Sequence, residues 1–310
     1  MRTTFFSVLT AAAEANPDLV LITGDLGFGV VEPFVAAVPG QFINAGVAEQ
    51  NMTGMAAGIA LAGGKVFTYS IANFPTLRCL EQIRNDVAYH QADVTVVAVG
   101  GGLAYGALGM SHHATEDLAI MRSIPGMAVA APGDPVETEA VMADLLRHGG
   151  PAYLRLGKAG EATIHDEMPE MSRGQLVHMR AGTDVCILST GGILPVARDA
   201  ADLLADSGVS ASLVSVPWLS PLDEEGLRRL ALQHELLVTV EEHSVNGGLG
   251  GAVAEVASGI GGAPLLRLGL PHRFSSVVGD QEFLRAAHGL TPAGVAERVL
   301  QRLRDLAALS

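Results

Sequence analysis

Cysteine is scarce in this 310-residue chain, which contains only Cys79 and Cys186, both in apolar contexts and far apart. Two such residues do not form the disulfide framework of a small secreted protein, so we expect reduced thiols and a cytoplasmic protein. No apolar run reaches the roughly 18 residues that a membrane-spanning helix needs. The first residues continue into an amphipathic helix without a signal-peptide cleavage site, so we expect no membrane association.

Positive charge is also scarce, because 19 Lys and Arg residues stand against 33 Asp and Glu residues, a net charge of −14. This balance argues against nucleic acid or an anionic membrane as a partner, although a local basic site for an anionic substrate remains compatible with it. Aromatic residues make up 5% of the chain, whereas glycine is abundant and 49% of residues are hydrophobic. Such a composition suits close packing of helices on sheets around sizeable cores.

Continuous apolar strands alternate with helical segments along most of the chain. This alternation predicts parallel sheets that are covered by helices on both faces. The alternation of strands and helices is interrupted at 163–181, a polar stretch of mixed charge, and then resumes. We therefore predict an α/β protein of two doubly wound domains: a mostly parallel-sheet domain at 1–162, a linker at 163–181 and a smaller α/β domain at 182–310. The predicted strands include 19–23, 42–44, 65–70, 94–99, 126–130, 152–156, 184–189, 211–216, 236–241 and 265–268.

One carboxylate, Glu49, lies at the junction between a short predicted strand and the Ala/Gly/Met-rich helix that follows it. An acid at this position has two interpretations. It can be a helix-start residue that the helix dipole favours. It can also be a proton-handling group directed into a pocket at the carboxyl end of a sheet strand.

Further polar and aromatic residues follow other strand ends. Phe74 comes between a strand and a helix, where it is either a core residue or a platform that stacks on a flat ring. Ser111, His112 and His113 precede a helix; adjacent histidine side chains diverge, so an acid/base or hydroxyl-binding histidine is favoured over a metal pair. The glycine-rich stretch 100–109 lacks a Gly-Lys-Ser/Thr sequence and fits a substrate-covering loop or a plain loop.

Two cations, Arg155 and Lys158, stand at the end of the last strand of the first half. They are either binders of an anionic substrate group or ordinary surface charges. In the second half, the polar turn 241–250 precedes a helix, and its glycines, serine and asparagine are sufficiently explained by a capped turn.

Taken together, the segment 46–51 (GVAEQN), the strand-end Phe74, the pair Ser111 and His112, and the smaller domain after 184 resemble the C-terminal portion of transketolase. The resemblance covers nearly the whole chain. It implies a pyrimidine-binding domain followed by a transketolase C-terminal domain, thiamine diphosphate as cofactor, and transfer of a two-carbon ketol unit from a ketose to an aldose.

The resemblance also implies roles for individual residues. Glu49 matches the glutamate that hydrogen-bonds the N1′ nitrogen of the aminopyrimidine and promotes its imino tautomer. Phe74 matches the aromatic residue that stacks on that ring, and Asp25 lies where transketolases carry an aspartate near the cofactor and the dimer interface. His112 matches a histidine that contacts the substrate, which makes it the second catalytic candidate.

The anionic end of the substrate, a sugar or sugar phosphate, is implied to bind near Arg155 and Lys158. The transketolase loop before the Ser-His pair carries an aspartate, and an earlier histidine reaches the donor sugar. This chain has Leu108 and, at or near the earlier position, Gly100, so the resemblance implies a donor other than an ordinary pentose phosphate.

A Gly-Asp-Gly motif for the Mg²⁺-bound diphosphate is missing, and the chain offers no credible set of oxygen ligands for that ion. We therefore expect no metal site in this chain and Mg²⁺ held mainly by a partner. That partner is expected to be an N-terminal transketolase subunit, which makes this chain the C-terminal subunit of a split transketolase in an α2β2 assembly. The alternatives are the β subunit of a 2-oxoacid dehydrogenase E1 component and a non-catalytic regulatory subunit on the same scaffold.

Overall fold

The computed structural model describes residues 1–167 and 171–309, which form two α/β domains. In the first domain, parallel strands alternate with helices, as the apolar pattern predicts. Its strands are β1 (Leu19–Thr23), β2 (Phe42–Asn44), β3 (Lys65–Ile71), β4 (Val94–Val99), β5 (Ala128–Ala130) and β6 (Ala152–Leu156). Its helices are α1 (Arg2–Ala15), α2 (Glu32–Ala37), α3 (Glu49–Leu61), α4 (Leu80–Gln82), α5 (Asp117–Arg122) and α6 (Pro135–His148).

The strands of the second domain are β7 (Val177–Arg180), β8 (Val185–Thr190), β9 (Ala211–Ser215), β11 (Leu236–Ser244) and β12 (Leu265–Leu270), and they lie in the order β12-β11-β8-β9-β7. A further strand, β10 (Trp218–Ser220), leaves this domain and pairs antiparallel with β5. The first sheet therefore has seven strands in the order β10-β5-β6-β4-β3-β1-β2. The helices of the second domain are α7 (Leu194–Asp206), α8 (Glu224–Gln233), α9 (Leu249–Ala257), α10 (Gln281–Ala287) and α11 (Pro292–Ala307).

The central strands explain the continuous apolar runs of the sequence. Every residue of β4, of β6 and of β8 is buried, because helices cover both faces of each sheet. The fold class and the two-domain α/β organisation are thus confirmed. Within the described residues, no helix is both long and apolar enough to cross a membrane.

The predicted linker 163–181 needs correction at its end. Val177–Arg180 forms β7, an edge strand that pairs antiparallel with β9, so the second sheet starts inside the predicted linker. A four-residue polar edge strand carries too weak an alternation to be recognised from sequence. Residues 168–170, in the middle of the predicted linker, and Ser310 at the end of the second domain lie outside the described residues.

The segment after β3, where the sequence indicates a helix following Phe74, is not a regular α-helix. A π-helical turn, Phe74–Arg78, precedes the short α4, and a second π-helical turn, Ile83–Ala88, follows it. Single-turn π-helical segments are frequent at functional sites. Here the first of them places Phe74 and Arg78 on the edge of the first sheet where its strands end.

Candidate active site

Glu49 is the first residue of α3 and is only 5% exposed. It follows β2 through a short turn, so its carboxylate lies at the carboxyl end of the sheet, where ligands bind in open α/β folds. One carboxylate oxygen, Oε1, accepts a hydrogen bond of 3.0 Å from Nη1 of Arg78. The acid therefore does both things that its position allows: it starts a helix, and it presents a carboxylate to the sheet edge.

Arg78 was not among the candidates from the sequence. Its guanidinium lies over the ring of Phe74, with Cζ 4.2 Å from the ring centroid, while it also donates to Glu49. The side chain is half-exposed. The surroundings of Glu49 are therefore not purely apolar. The one feature of the sequence that could have indicated this neighbour is the cation four residues after Phe74.

The same edge continues from Phe74 to the loop after β4. The ring of Phe74 meets that of His112 edge-on, with centroids 5.2 Å apart. His112 Nδ1 is 3.0 Å from the hydroxyl of Ser111, and Asn73 Nδ2 donates to the carbonyl oxygen of Ser111 over 2.5 Å. The structure thus brings the predicted Glu49, Phe74 and His112 onto one edge of the sheet.

Tyr105 extends this arrangement and was missed by the sequence reasoning. Its ring centroid is 6.4 Å from that of His112, and the ammonium of Lys158 lies 4.9 Å from its centre. We call the set of neighbouring side chains along the sheet edge the edge cluster; it consists of Glu49, Arg78, Phe74, His112, Tyr105 and Lys158.

Arg155 does not join the edge cluster. It is 6% exposed, its Nε lies 3.2 Å from Oδ2 of Asp117, and its Nη2 donates to the carbonyl oxygens of Ala114 and Glu242 at 2.9 Å each. The guanidinium thereby ties the first domain to the second. Its predicted contact with the substrate stays a prediction, whereas its packing role is evident from these contacts.

Asp25 braces the turn that leads to Glu49. Its Oδ1 accepts from Nδ2 of Asn44 over 3.0 Å, and its backbone N–H donates to Oδ1 of Asn44 over 3.1 Å. Asn44 Oδ1 also accepts from the N–H of Gly46. Asp25 adopts a left-handed φ of 56°, which aspartate tolerates better than most residues. It therefore fixes the ends of β1 and β2 beside the edge cluster.

The other polar residues and cysteines considered from the sequence lie outside the edge cluster. His113 is buried, and its Nε2 has no hydrogen-bond partner among the described residues. Among residues 1–167 and 171–309, no group of three or more His, Cys, Asp and Glu side chains is placed to hold a metal ion. Glu241 accepts from the N–H groups of Leu249 and Gly250, which confirms the capped-turn interpretation of 241–250. Both cysteines are free and buried.

Comparison with known proteins agrees with this geometry. Residues 1–160 match the transketolase pyrimidine-binding domain, and residues 174–295 match the transketolase C-terminal domain. A putative transketolase C-terminal section from Methanocaldococcus jannaschii is 37% identical, across 98% of this chain and 96% of the relative. One of the subunits of an apulose-4-phosphate transketolase from Phocaeicola vulgatus is 34% identical, across 97% of this chain and 96% of its own length.

A solved split-gene transketolase, an inactive β4 tetramer, is also similar to this chain. It has a TM-score of 0.87 and 34% identity, and the alignment covers 97% of this chain and 96% of the relative. These relatives favour transketolase over the 2-oxoacid dehydrogenase alternative. The edge cluster, the two matched domains and the full-length relatives lead to one conclusion: the chain belongs to the transketolase family.

Proposed function

We propose that this chain is the C-terminal subunit of a two-subunit transketolase that transfers a two-carbon ketol unit from a ketose to an aldose. The observation that carries the proposal is the edge cluster, in which a buried carboxylate, an aromatic face and a histidine share one sheet edge. Its relatives' names include transketolase subunits, which supports a partner subunit for this chain as well.

The side chains at this edge suit the aminopyrimidine of thiamine diphosphate. The flat guanidinium of Arg78 already stacks on Phe74 while it donates to Glu49. A flat group that hydrogen-bonds with a carboxylate and stacks on an aromatic ring therefore finds both contacts here. Thiamine diphosphate, when bound, supplies the carbon nucleophile for ketol transfer.

This chain's residues then have separate tasks. Glu49 exchanges a proton with the N1′ nitrogen, and its low exposure keeps water from competing for that hydrogen bond. Phe74 orients the ring by stacking, and His112 contacts a substrate hydroxyl. Lys158, at the far end of the edge cluster, attracts the anionic end of a sugar phosphate. We assign Asp25 a positioning task, because it braces the turn before Glu49.

The other half of the site is assigned to a partner. We propose that an N-terminal subunit holds the diphosphate and Mg²⁺, and that two copies of each subunit form an α2β2 assembly. Leu108 and Gly100 stand where the family carries donor-contacting polar residues, so we propose a donor other than an ordinary pentose phosphate.

Reconstitution tests this proposal. The chain is expressed with the polypeptide that carries the diphosphate-binding domain and is titrated with thiamine diphosphate and Mg²⁺ while ketose donors are screened for ketol transfer. We expect activity from the mixed complex and none from either chain alone. Equal activity from the isolated chain, or no gain from the partner with any donor, would contradict the split-subunit assignment.

A further inference from the structure

A second concave site lies in the C-terminal domain, formed by residues outside the edge cluster. It is a cavity of about 550 Å³ whose basic side chains come from four parts of the fold. Arg267 belongs to β12, Arg273 to the segment that follows it, and His288 and Arg298 to the end of α10 and to α11. We call it the basic cavity; small and apolar residues complete its wall, and no carboxylate of the described residues lines it.

Within the described residues, no carboxylate forms an ion pair with Arg267, Arg273 or Arg298. Several other arginines do pair with carboxylates, as Arg122 does with Glu255 over 2.9 Å and Arg228 with Glu224 over 2.9 Å. Arg267 instead donates to the carbonyl oxygen of Val245, over 3.0 Å.

Arg273 and Arg298 are exposed, and neither guanidinium has a hydrogen bond or an ion pair within residues 1–167 and 171–309. Converging cations without a counter-charge repel one another. A ligand anion would remove that repulsion.

His288 also lines the basic cavity. Its Nε2 is buried without a hydrogen-bond partner in the described part of the chain. Burial lowers the pKa of this imidazole, and the nearby guanidinium of Arg273 lowers it further. The ring nitrogen is thus a polar atom that lacks a partner, next to the equally unpaired guanidinium of Arg273.

We propose that the basic cavity, whose lining includes no residue of the edge cluster, binds a small phosphate-bearing molecule. Guanidinium groups present planar forks that match phosphate oxygens, and several of them converge here on a space of small-molecule size. The concave shape favours a compact ligand over an acidic protein segment, which would need an extended surface. The inference goes beyond the proposed ketol transfer and does not depend on it.

Calorimetry on the full chain, without a partner subunit, tests the site with inorganic pyrophosphate as the probe. We expect saturable binding that weakens as salt is raised. Arg298→Gln and Arg273→Gln should each weaken binding about tenfold, since each removes one charge-assisted fork. Arg304→Gln, on the same helix but outside the cavity, should leave the affinity unchanged within about twofold. Circular dichroism of each variant confirms that it is folded.

Other outcomes would overturn the proposal. One is the absence of pyrophosphate binding at millimolar concentration. Another is binding that survives both Arg273→Gln and Arg298→Gln in folded protein, which would place the anion elsewhere, for example at Lys158. A third is binding of an acidic peptide, lost in the same variants, without any binding of pyrophosphate, because this result would identify the cavity as a protein-docking surface.

Discussion

At the scale of single residues, Arg78 occupies the space between the two side chains that we propose as cofactor contacts. Its guanidinium holds Glu49 and covers Phe74 at the same time. A flat cofactor ring that makes both contacts must displace it. Because Arg78 is half-exposed, the ion pair that has to break is worth about 1 kcal/mol or less.

Arg78→Met tests this displacement. The variant keeps an unbranched helix-compatible side chain but removes the donor to Glu49, so thiamine diphosphate should bind the reconstituted complex up to about fivefold more tightly. Calorimetric titration measures the affinity, and Arg84→Met, whose guanidinium donates to the neighbouring Asn85, is the control. A weaker affinity in Arg78→Met would show that Arg78 assists cofactor binding rather than competing with it.

The placement of Glu49, Phe74 and His112 on one sheet edge could be predicted, because each is part of a short motif at a strand end; their roles stay a prediction. Arg78 and Tyr105 could not, because their roles depend on π-helical and loop geometry that leaves no pattern in the sequence. Arg155 shows the converse, since its place at the end of a strand suggested a substrate-binding or surface cation, whereas the residue lies within the buried β6. Its guanidinium is instead buried against Asp117 and two carbonyl oxygens.

At the scale of secondary-structure elements, the start of α6 is joined to the segment that leaves β6. Asp134 caps α6 by accepting from the N–H of Glu137, and it also accepts from the N–H groups of Ile164 and His165. Burial acts to raise the pKa of Asp134, but hydrogen bonds from the side chain of His165 and from these N–H groups outweigh it and lower the pKa to about 2.

His165 lies between two buried carboxylates, 3.1 Å from Asp134 and 3.4 Å from Glu137. Burial acts to lower the pKa of its imidazole, but the hydrogen bond with Asp134 and the charge of Glu137 raise it above its ordinary value. The protonated ring thus contributes stability that is fully present below about pH 6.5 and is lost as pH rises through the raised pKa.

Acid unfolding should reveal the contribution of Asp134. A carboxyl group with a lowered pKa stabilises the folded state fully when the pH is above the group's ordinary pKa. This contribution is lost as pH falls from about 4 towards 2. Asp134→Asn should cost about 1–3 kcal/mol at neutral pH and should flatten the fall in stability over that acid range. Urea unfolding at several pH values measures both effects.

The control is Asp206→Asn, at the exposed end of α7, which should change neither the stability at neutral pH nor its fall in acid. Equal acid sensitivity in wild type and Asp134→Asn would contradict the lowered pKa of Asp134.

Elements with strong local signals were predictable from sequence. Asp134, Asp223 and Thr291 are such signals, because each caps a helix by accepting a hydrogen bond from the N–H three residues after it. The short strands β7 and β10 were missed because their pairing is non-local. β10 joins the sheet of the other domain, a choice determined by long-range contacts rather than by its own three residues.

At the scale of the whole molecule, the two domains meet where the loop after β4 contacts Glu242. Leu103 N–H donates to Oε1 of Glu242 over 2.6 Å, and Arg155 donates to its carbonyl oxygen. Gly102, at φ +65°, allows this close approach, because a Cβ there would lie 2.7 Å from the backbone oxygen of Glu242 and closer still to its Oε1. The boundary is therefore a packed contact and not a loose hinge.

Gly102→Ala should disturb that contact. The added methyl group would clash with the backbone oxygen of Glu242, which cannot move away as a flexible side chain can. The left-handed φ adds strain, so we expect the free energy of unfolding to fall by about 2–4 kcal/mol. Thermal unfolding should show this as a melting temperature several degrees lower. Gly251→Ala, in α9 with open space around its Cβ position, is the matched control and should be neutral or slightly stabilising. An unchanged melting temperature for Gly102→Ala would contradict this account of the boundary.

Glu49 is the residue that we propose as this chain's central contribution to an active site that another subunit completes. The direct measurement is the rate of ketol transfer by the reconstituted complex with Glu49→Gln, which preserves the shape of the side chain and an acceptor for Arg78. We predict a complex that assembles normally but is slowed about 100-fold or more, because the proton-exchanging group is gone. Glu81→Gln, an exposed acid in α4, should retain the full rate. A Glu49→Gln complex that transfers ketol units at the wild-type rate would contradict the central claim.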